Sequence, residues 1–283
     1  MPFESQFSSI NCQGQLIDLS EAKVMGILNL TPDSFYDGGE LTDNHLILKK
    51  VEQMLDEGVD FIDLGAASSR PGSKRLTPDE EAKRLLPSLN LIKTHFPEAL
   101  LSVDTYHVDV AKQALDSGVA IINDISGGQF DNQMFKLISD YQVPYVLMHL
   151  QGDKNSFHQA NTYDHLLNDM VLFFSEKITK LQALGVNDLI IDPGFGFSKT
   201  INQNFELLRK LEVLTVFDLP ILVGLSRKSM LYKTLDITAK EALSATSVTH
   251  YEALRQGAKL LRVHDVKEAK QTITLFNLLN PKH

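Results

Sequence analysis

Eight times along the chain a short apolar run breaks off at a polar or charged residue. VMGILN ends at Asn29, DFIDLG carries Asp63 near its end, LLSVD ends at Asp104, and AIIND ends at Asn123 and Asp124. YVLMH ends at His149 and LIIDP at Asp192. ILVGLSRK runs into Ser226, Arg227 and Lys228, and LLRVHD closes on Arg262, His264 and Asp265. Runs that are apolar at consecutive positions suit strands buried on both faces. Between them lie segments with helical spacing, such as Ile47, Val51, Met54 and Leu55 at i, i+4, i+7 and i+8. Thr77-Pro78-Asp79-Glu80 sets threonine at an N-cap, proline at the first helical position and glutamate at N3, which predicts a helix start. Leu85, Leu86, Leu89 and Ile92 then form its buried face. Further helices are predicted over residues 106–117, 132–141, 163–184, 203–211, 239–256 and 267–278.

The repeating unit is strand then helix, eight times over. Its expected fold is α/β, a closed (β/α)8 barrel of the TIM type, with an open doubly wound sheet as the alternative because periodicity does not fix closure. SSINC and QLIDLS flank Gln13-Gly14 and predict an N-terminal β-hairpin, placed to cover the barrel's N-terminal end. In a barrel, one rim collects the ends of all parallel strands, so the interrupting polar residues become neighbours.

Composition narrows the class. A chain of 283 residues with 43% hydrophobic content fits one such barrel, and no linker-like stretch divides it, so residues 1–283 are read as a single domain. The net charge of −9 argues against a nucleic-acid partner, although a local basic cluster can still hold an anion. No leader pattern or membrane span is visible, and Cys12 is the only cysteine, so a soluble cytoplasmic protein without disulfides is expected.

Two constellations carry chemistry. Ser226, Arg227, Lys228 and Ser229, with Arg262 and His264 on one strand face, predict an anion site where the seventh and eighth loops meet. Arginine offers a forked donor set and lysine a point charge. Asp104, Asn123 and Asp192 suit the donor edge of a flat heterocycle, yet each alone is as well explained as a cap of the following helix. Asp124 reads as the structural member of its pair, because adjacent strand residues face opposite ways. His149 reads as a hydrogen-bonded structural group. NLTPDSFYDGG predicts a lid hinged at Gly38-Gly39, with Asn29, Asp33 and Asp37 as oxygen donors for Mg²⁺. GAASSRPGS carries Arg70 in a loop whose backbone N–H groups suit an anion, and DPGFGFSKT offers Phe195 and Phe197 to a ring.

NLTPDSFYDGG, SSRPG, SVDT, INDISGG, MHLQG, DPGFGF, GLSRKS and RVHDV occur in the order found in dihydropteroate synthases of the folate pathway. The chain resembles that family from about Val24 to its C-terminal helix. The resemblance implies condensation of 6-hydroxymethyl-7,8-dihydropterin pyrophosphate with 4-aminobenzoate, yielding 7,8-dihydropteroate and pyrophosphate. It assigns the pterin to Asp104, Asn123, Met148, Asp192 and Lys228, and the pyrophosphate to Asn29, Arg70, Arg262 and His264. Phe35, Ser69, Pro71, Phe197, Lys228 and Ser229 would frame the aminobenzoate, a pocket that sulfonamides mimic their way into. Asp104, Lys228 and Asp37 would be catalytic, Mg²⁺ would sit at Asn29, and the protein would be a homodimer.

The chain departs from the family where Gly-Gly-Glu-Ser-Thr-Arg-Pro-Gly becomes Gly65-Ala66-Ala67-Ser68-Ser69-Arg70-Pro71-Gly72, and where Ser198 replaces a usual glycine. Two further readings use the same residues. A methyltetrahydrofolate methyltransferase would share Asp104, Asn123 and Asp192 but would not need the converging cations. A pterin-binding homologue without activity would draw only on the altered Ala66-Ala67 segment.

Overall fold

The computed structural model describes residues 9–30, 40–66, 75–152 and 163–281. The N-terminal hairpin pairs β1 (Ser9–Cys12) with β2 (Gln15–Asp18) in antiparallel register. The barrel strands are β3 (Lys23–Asn29), β4 (Phe61–Gly65), β5 (Leu101–Asp104), β6 (Ile121–Asp124), β7 (Tyr145–Met148), β8 (Leu189–Asp192), β9 (Ile221–Val223) and β10 (Ala258–Val263). All pair in parallel with their chain neighbours, and β10 returns to β3, so the sheet closes. The open-sheet alternative is thereby removed.

Helices α1 (Glu40–Asp56), α2 (Pro78–His95), α3 (Val108–Asp116), α4 (Met134–Tyr141), α5 (Leu166–Ala183) and α6 (Ile201–Arg209) link successive strands. A 3-10 helix, Leu211–Phe217, follows α6, then α7 (Ser229–Thr234), α8 (Leu243–Arg255) and α9 (Val266–Leu279) complete the ring. The predicted helices lie where expected within a few residues of each end. The 3-10 segment and the six-residue α7 were not anticipated, because neither is long enough to display a helical period. The cap of α2 forms as predicted: Glu80 N donates to Thr77 Oγ1 (3.3 Å) and Thr77 N to Glu80 Oε2 (2.8 Å). Thr200 and Gln203 build a second reciprocal cap that starts α6 just beyond β8. Such a cap contributes about 1 kcal/mol. The glycine after α3, Gly118, turns the chain at φ +83, a conformation open to a residue without Cβ.

Alternation along the strands sorts the core into two bodies. Ile62 and Leu64 face outward against the helices, in a cluster that includes Val51, Leu85 and Leu89. Phe61 faces inward with Met25, Ile121, Val146, Ile190, Leu222 and Leu260, all near the strand starts. Ile10, Cys12 and Leu19 join this inner cluster, so the hairpin closes the barrel's N-terminal end. Asn11 N donates to Asp188 Oδ1 (3.2 Å) and Gln13 Nε2 to the Val119 carbonyl (3.2 Å), fastening it there. One pleat further along β4, β6, β8 and β10, the inward positions turn polar, at Asp63, Asn123, Asp192 and Arg262.

Among the described residues, no helix is long and apolar enough to cross a membrane.

Candidate active site

The polar tier occupies the C-terminal ends of the strands. Asp104 on β5 is the register partner of Asn123 on β6, and Met148 on β7 is the partner of Asp192 on β8. Lys228 follows β9, and Arg262 lies on β10. Asp104, Asn123, Met148, Asp192, Phe197, Lys228 and Arg262 all line one narrow cleft at the barrel mouth. The ends of six strands, β5 to β10, therefore meet in this cleft. A roomier groove lies on the outside of the barrel between α1 and α9, lined by residues such as Lys49, Glu52 and Lys270, away from this chemistry.

Arg262 organises the acids. Its Nη2 donates to Asp104 Oδ2 (2.8 Å) and its Nε to Asp63 Oδ2 (2.6 Å). Asn123 Nδ2 donates to the same Asp63 oxygen (3.0 Å). Burial pushes the Asp104 carboxyl up to about 7; Arg262 opposes this, while Asp63, Glu81 and Asp124 reinforce it. Burial likewise raises Asp192, partly offset by the Gly194 N–H donated to its Oδ1 (2.7 Å) and by Lys228. Lys228 falls to about 8, first through desolvation and then through Arg262, with Asp192 and Asp104 pulling it back. Its Nζ stands 4.4 Å from the centre of the Phe197 ring, a cation–π contact. The tier thus holds acids whose pKa burial raises and an amine whose pKa burial lowers, the usual mark of a working site.

The turn after β8 is shaped by a close approach. At Gly194, with φ +70, an added Cβ would lie 2.3 Å from the His149 carbonyl oxygen, so no side chain fits. Ser198 takes φ +47, which accounts for the family's usual glycine there; its Oγ accepts from Gln151 N (3.1 Å) and meets the Tyr163 hydroxyl (3.2 Å). Met148 packs with Ile125, Leu150 and Phe197 as an apolar wall of the cleft.

Several residues do other work than their sequence pattern suggested. Arg227 was grouped with the anion-binding cations, but it turns away. Its Nε and Nη2 donate to Asp265 (2.8 Å each) and its Nη1 to the carbonyls of Ala239 (3.1 Å) and Lys240 (2.6 Å). A guanidinium satisfied on three sides is a strut for the loop before α8. Asp124 is structural as expected, accepting from Ser126 N, Gly128 N and the Tyr145 hydroxyl. His149 is buried as expected, its Nδ1 3.1 Å from Lys199 Nζ. His264 is at the exposed rim with Nδ1 3.0 Å from Ser226 Oγ; desolvation first, then Arg262, hold its pKa below the usual imidazole range. Asn29 ends β3 beside Gly65, and Ser229 opens α7.

Two buried groups receive no role from the sequence. Asp63 is fully buried at an inward position of β4, and the signal was available: an acid on the same strand face as Phe61. Lys199 is also buried, donating to the Gly194 carbonyl (3.2 Å) and the Phe197 carbonyl (3.3 Å) as well as meeting His149. Desolvation lowers it to about 7, against the pull of Asp192. Phe35, Asp37, Ser69, Arg70 and Pro71, with Asp33, the Gly38-Gly39 hinge and residues 67–72, lie outside the described residues.

Magnesium would ask little of the protein here. Among the described residues no group of three or more acidic, histidine or cysteine side chains could cage a metal. Magnesium keeps several waters and shares phosphate oxygens, so one or two protein oxygens suffice. The Asn29 carboxamide at the rim fits that sparse requirement.

The family profile described as pterin binding enzyme matches residues 25–264. The dihydropteroate synthase of Streptococcus pyogenes serotype M3 is 37% identical over 270 residues, covering 94% of this chain and 98% of that protein. The Escherichia coli K12 dihydropteroate synthase is 38% identical over 265 residues, covering 92% and 93%. The solved structure of Xanthomonas albilineans dihydropteroate synthase with 4-aminobenzoic acid superposes with a TM-score of 0.90 at 32% identity, covering 98% of this chain and 99% of that one. A barrel mouth that gathers the expected acids and cations, together with relatives aligned along nearly the whole chain, leads to one assignment: the chain belongs to the pterin binding enzymes and, within them, to the dihydropteroate synthase family.

Proposed function

We propose that the barrel mouth condenses 6-hydroxymethyl-7,8-dihydropterin pyrophosphate with 4-aminobenzoate by a dissociative displacement. The carrying observation is the single cleft in which Asp104, Asn123 and Asp192 stand beside Lys228 and Arg262. Acceptors there suit the amino and ring N–H donors of a pterin, with Met148 against its face. The bond between the exocyclic methylene and the pyrophosphate oxygen breaks first, and its electron pair leaves with the pyrophosphate. Asp104 stabilises the positive charge spread over the methylene and ring. Arg262 and His264 with Asn29 and Arg70 receive the departing anion. The arylamine nitrogen then donates its lone pair to the methylene and releases a proton. An arylamine is neutral near pH 7, so no strong base is required.

Phe197 and Ser229, with Phe35, Ser69 and Pro71, are assigned to the aminobenzoate. Asn29, with Asp37, would hold magnesium, which supplies neutralising charge to the pyrophosphate when bound. The protein is further proposed to act in the cytoplasm as a homodimer. Exposed Val248 on α8 and Leu275, Leu278 and Leu279 on α9 support a subunit contact there.

The experiment is incubation of the chain with the pterin pyrophosphate, 4-aminobenzoate and Mg²⁺, with mass detection of dihydropteroate and a parallel assay of pyrophosphate. Both products are expected in equal amounts. Methyl transfer to another acceptor without pyrophosphate release, or tight binding without any product, would refute the proposal.

A further inference from the structure

We propose that Asp63 is a positioning residue that fixes which end of the Asn123 carboxamide faces the substrate, and so sets which heterocycle edge the site accepts. This rests on the pterin reading above and extends it to a residue that touches no substrate. Asp63 has no solvent exposure and Asn123 is 2% exposed, so neither can turn to water for a partner. Asp63 Oδ2 receives Asn123 Nδ2 at 3.0 Å and Arg262 Nε at 2.6 Å. A carboxylate paired with a guanidinium accepts and does not donate. Were the Asn123 amide reversed, its oxygen would face the Asp63 oxygen, two buried acceptors without a proton between them. That arrangement carries the full cost of an unsatisfied buried group. The amide nitrogen is therefore committed to Asp63, and the carbonyl oxygen remains for the cleft.

The consequence is a row of acceptors. Asp104 and Asn123 on the neighbouring strands β5 and β6, with Asp192 on β8, all line the cleft, so three strand ends present oxygens to the occupant. A 2-amino heterocycle supplies donors to such a row; the corresponding 2-oxo compound sets oxygen against oxygen. A site built to bond a donor rejects the analogue lacking it, because its own polar groups are left unpaired. Asp63 also holds Arg262, whose second arm reaches Asp104, so one buried oxygen couples the inward side chains of β4, β6 and β10.

The other Asp63 oxygen decides which variant tests this. Oδ1 has no hydrogen-bond partner, nor does Ser102 Oγ, whose residue is the register partner of Asp63 on β5. An asparagine at position 63 can turn its nitrogen to that side and keep its oxygen for Asn123 and Arg262. Asp63→Asn is therefore the conservative variant, and Asp63→Leu, close in shape but without an acceptor, is the disruptive one.

The experiment is calorimetric titration of wild type and both variants with 6-hydroxymethyl-7,8-dihydropterin pyrophosphate and with its 2-oxo analogue. In wild type the amino compound is expected to bind more tightly. In Asp63→Leu the ratio of the two affinities should fall about tenfold or more, because Asn123 can reverse to meet an oxo group. Asp63→Asn should keep the ratio within about threefold of wild type. A loss of packing alone would weaken both ligands together and leave the ratio in place, which would overturn the inference. Wild type that binds neither ligand would overturn the pterin reading and this inference together. If Asp63→Leu does not fold, neutron diffraction of the wild-type protein decides: deuterium on Asn123 must point at Asp63, and an amide nitrogen turned into the cleft overturns the inference.

Discussion

Replacing Asp104 by asparagine separates what the site does for catalysis from what it costs the fold. The substitution keeps the shape and keeps an oxygen for the Arg262 Nη2 hydrogen, now at 2.8 Å. It removes the negative charge. Because the folded carboxyl is raised from 3.8 to about 7, ionisation opposes folding, and the wild type loses stability as pH climbs between those two values. At about 1.4 kcal/mol per unit, the shift corresponds to about 4 kcal/mol above pH 7. The side chain is still 17% exposed, which screens the effect, so a gain of about 1–2 kcal/mol is expected for Asp104→Asn at pH 8. At pH 4 the two proteins should be equally stable, since the wild-type group is then neutral. Urea unfolding at the two pH values measures this. Turnover should move the other way. A unit charge about 5 Å from the developing cation is worth about 3 kcal/mol at an effective dielectric of about 20, or on the order of 10²-fold in kcat. Wild-type kcat/KM should also rise with pH through about 7 as Asp104 ionises, and the variant should lack that limb. Near-normal turnover in Asp104→Asn, or a variant less stable than wild type at pH 8, would refute the reasoning.

Arg262→Met leaves Asp63 and Asp104 without their shared counter-ion, and a loss of about 3–5 kcal/mol in urea unfolding is expected. Adding Asp104→Asn to it should recover part of that loss, and strictly additive effects would count against the pairing. Tyr145→Phe deletes the 2.7 Å hydrogen bond to Asp124 and should lower stability by about 1–2 kcal/mol while leaving the KM for pterin pyrophosphate unchanged. A raised KM would move Asp124 from the scaffold into the site. Chelation of divalent cations should stop turnover, and Mg²⁺ should restore it; full activity in excess chelator would remove the metal from the scheme.

The strand ends were legible because closure of a barrel converts an interrupted apolar run into a rim position. Asp104, Asn123, Asp192 and Arg262 could be placed by that rule alone. The same rule reaches Asp63 but not its role, since the meaning of a buried acid lies in its partners, and Arg262 stands 199 residues further along the chain. Arg227 misled for the opposite reason. Its neighbours in sequence are site residues, but a φ of +54 and a carboxylate at Asp265 turn it outward. Lys199 sits in a loop whose glycines and phenylalanines point toward a ring-binding surface; two of its partners are carbonyls of that loop, and the third, His149, comes into reach only once β7 and β8 lie side by side. Local spacing carries periodicity and caps well; it carries little about which of two adjacent basic residues meets an acid from another turn of the barrel.

The hairpin that stoppers the far end gives the barrel interior a single wet side. Below the charged residues lies a mainly apolar plug, from Phe61 and Ile121 down to Ile10 and Cys12. Solvent can soften the attraction between Arg262 and its carboxylates from one direction only. Whatever molecule roofs the opening strips that last screening layer and strengthens every charge contact beneath it at once. Occupancy and field strength are thereby tied together: the vessel becomes most strongly polarising at the moment it is full.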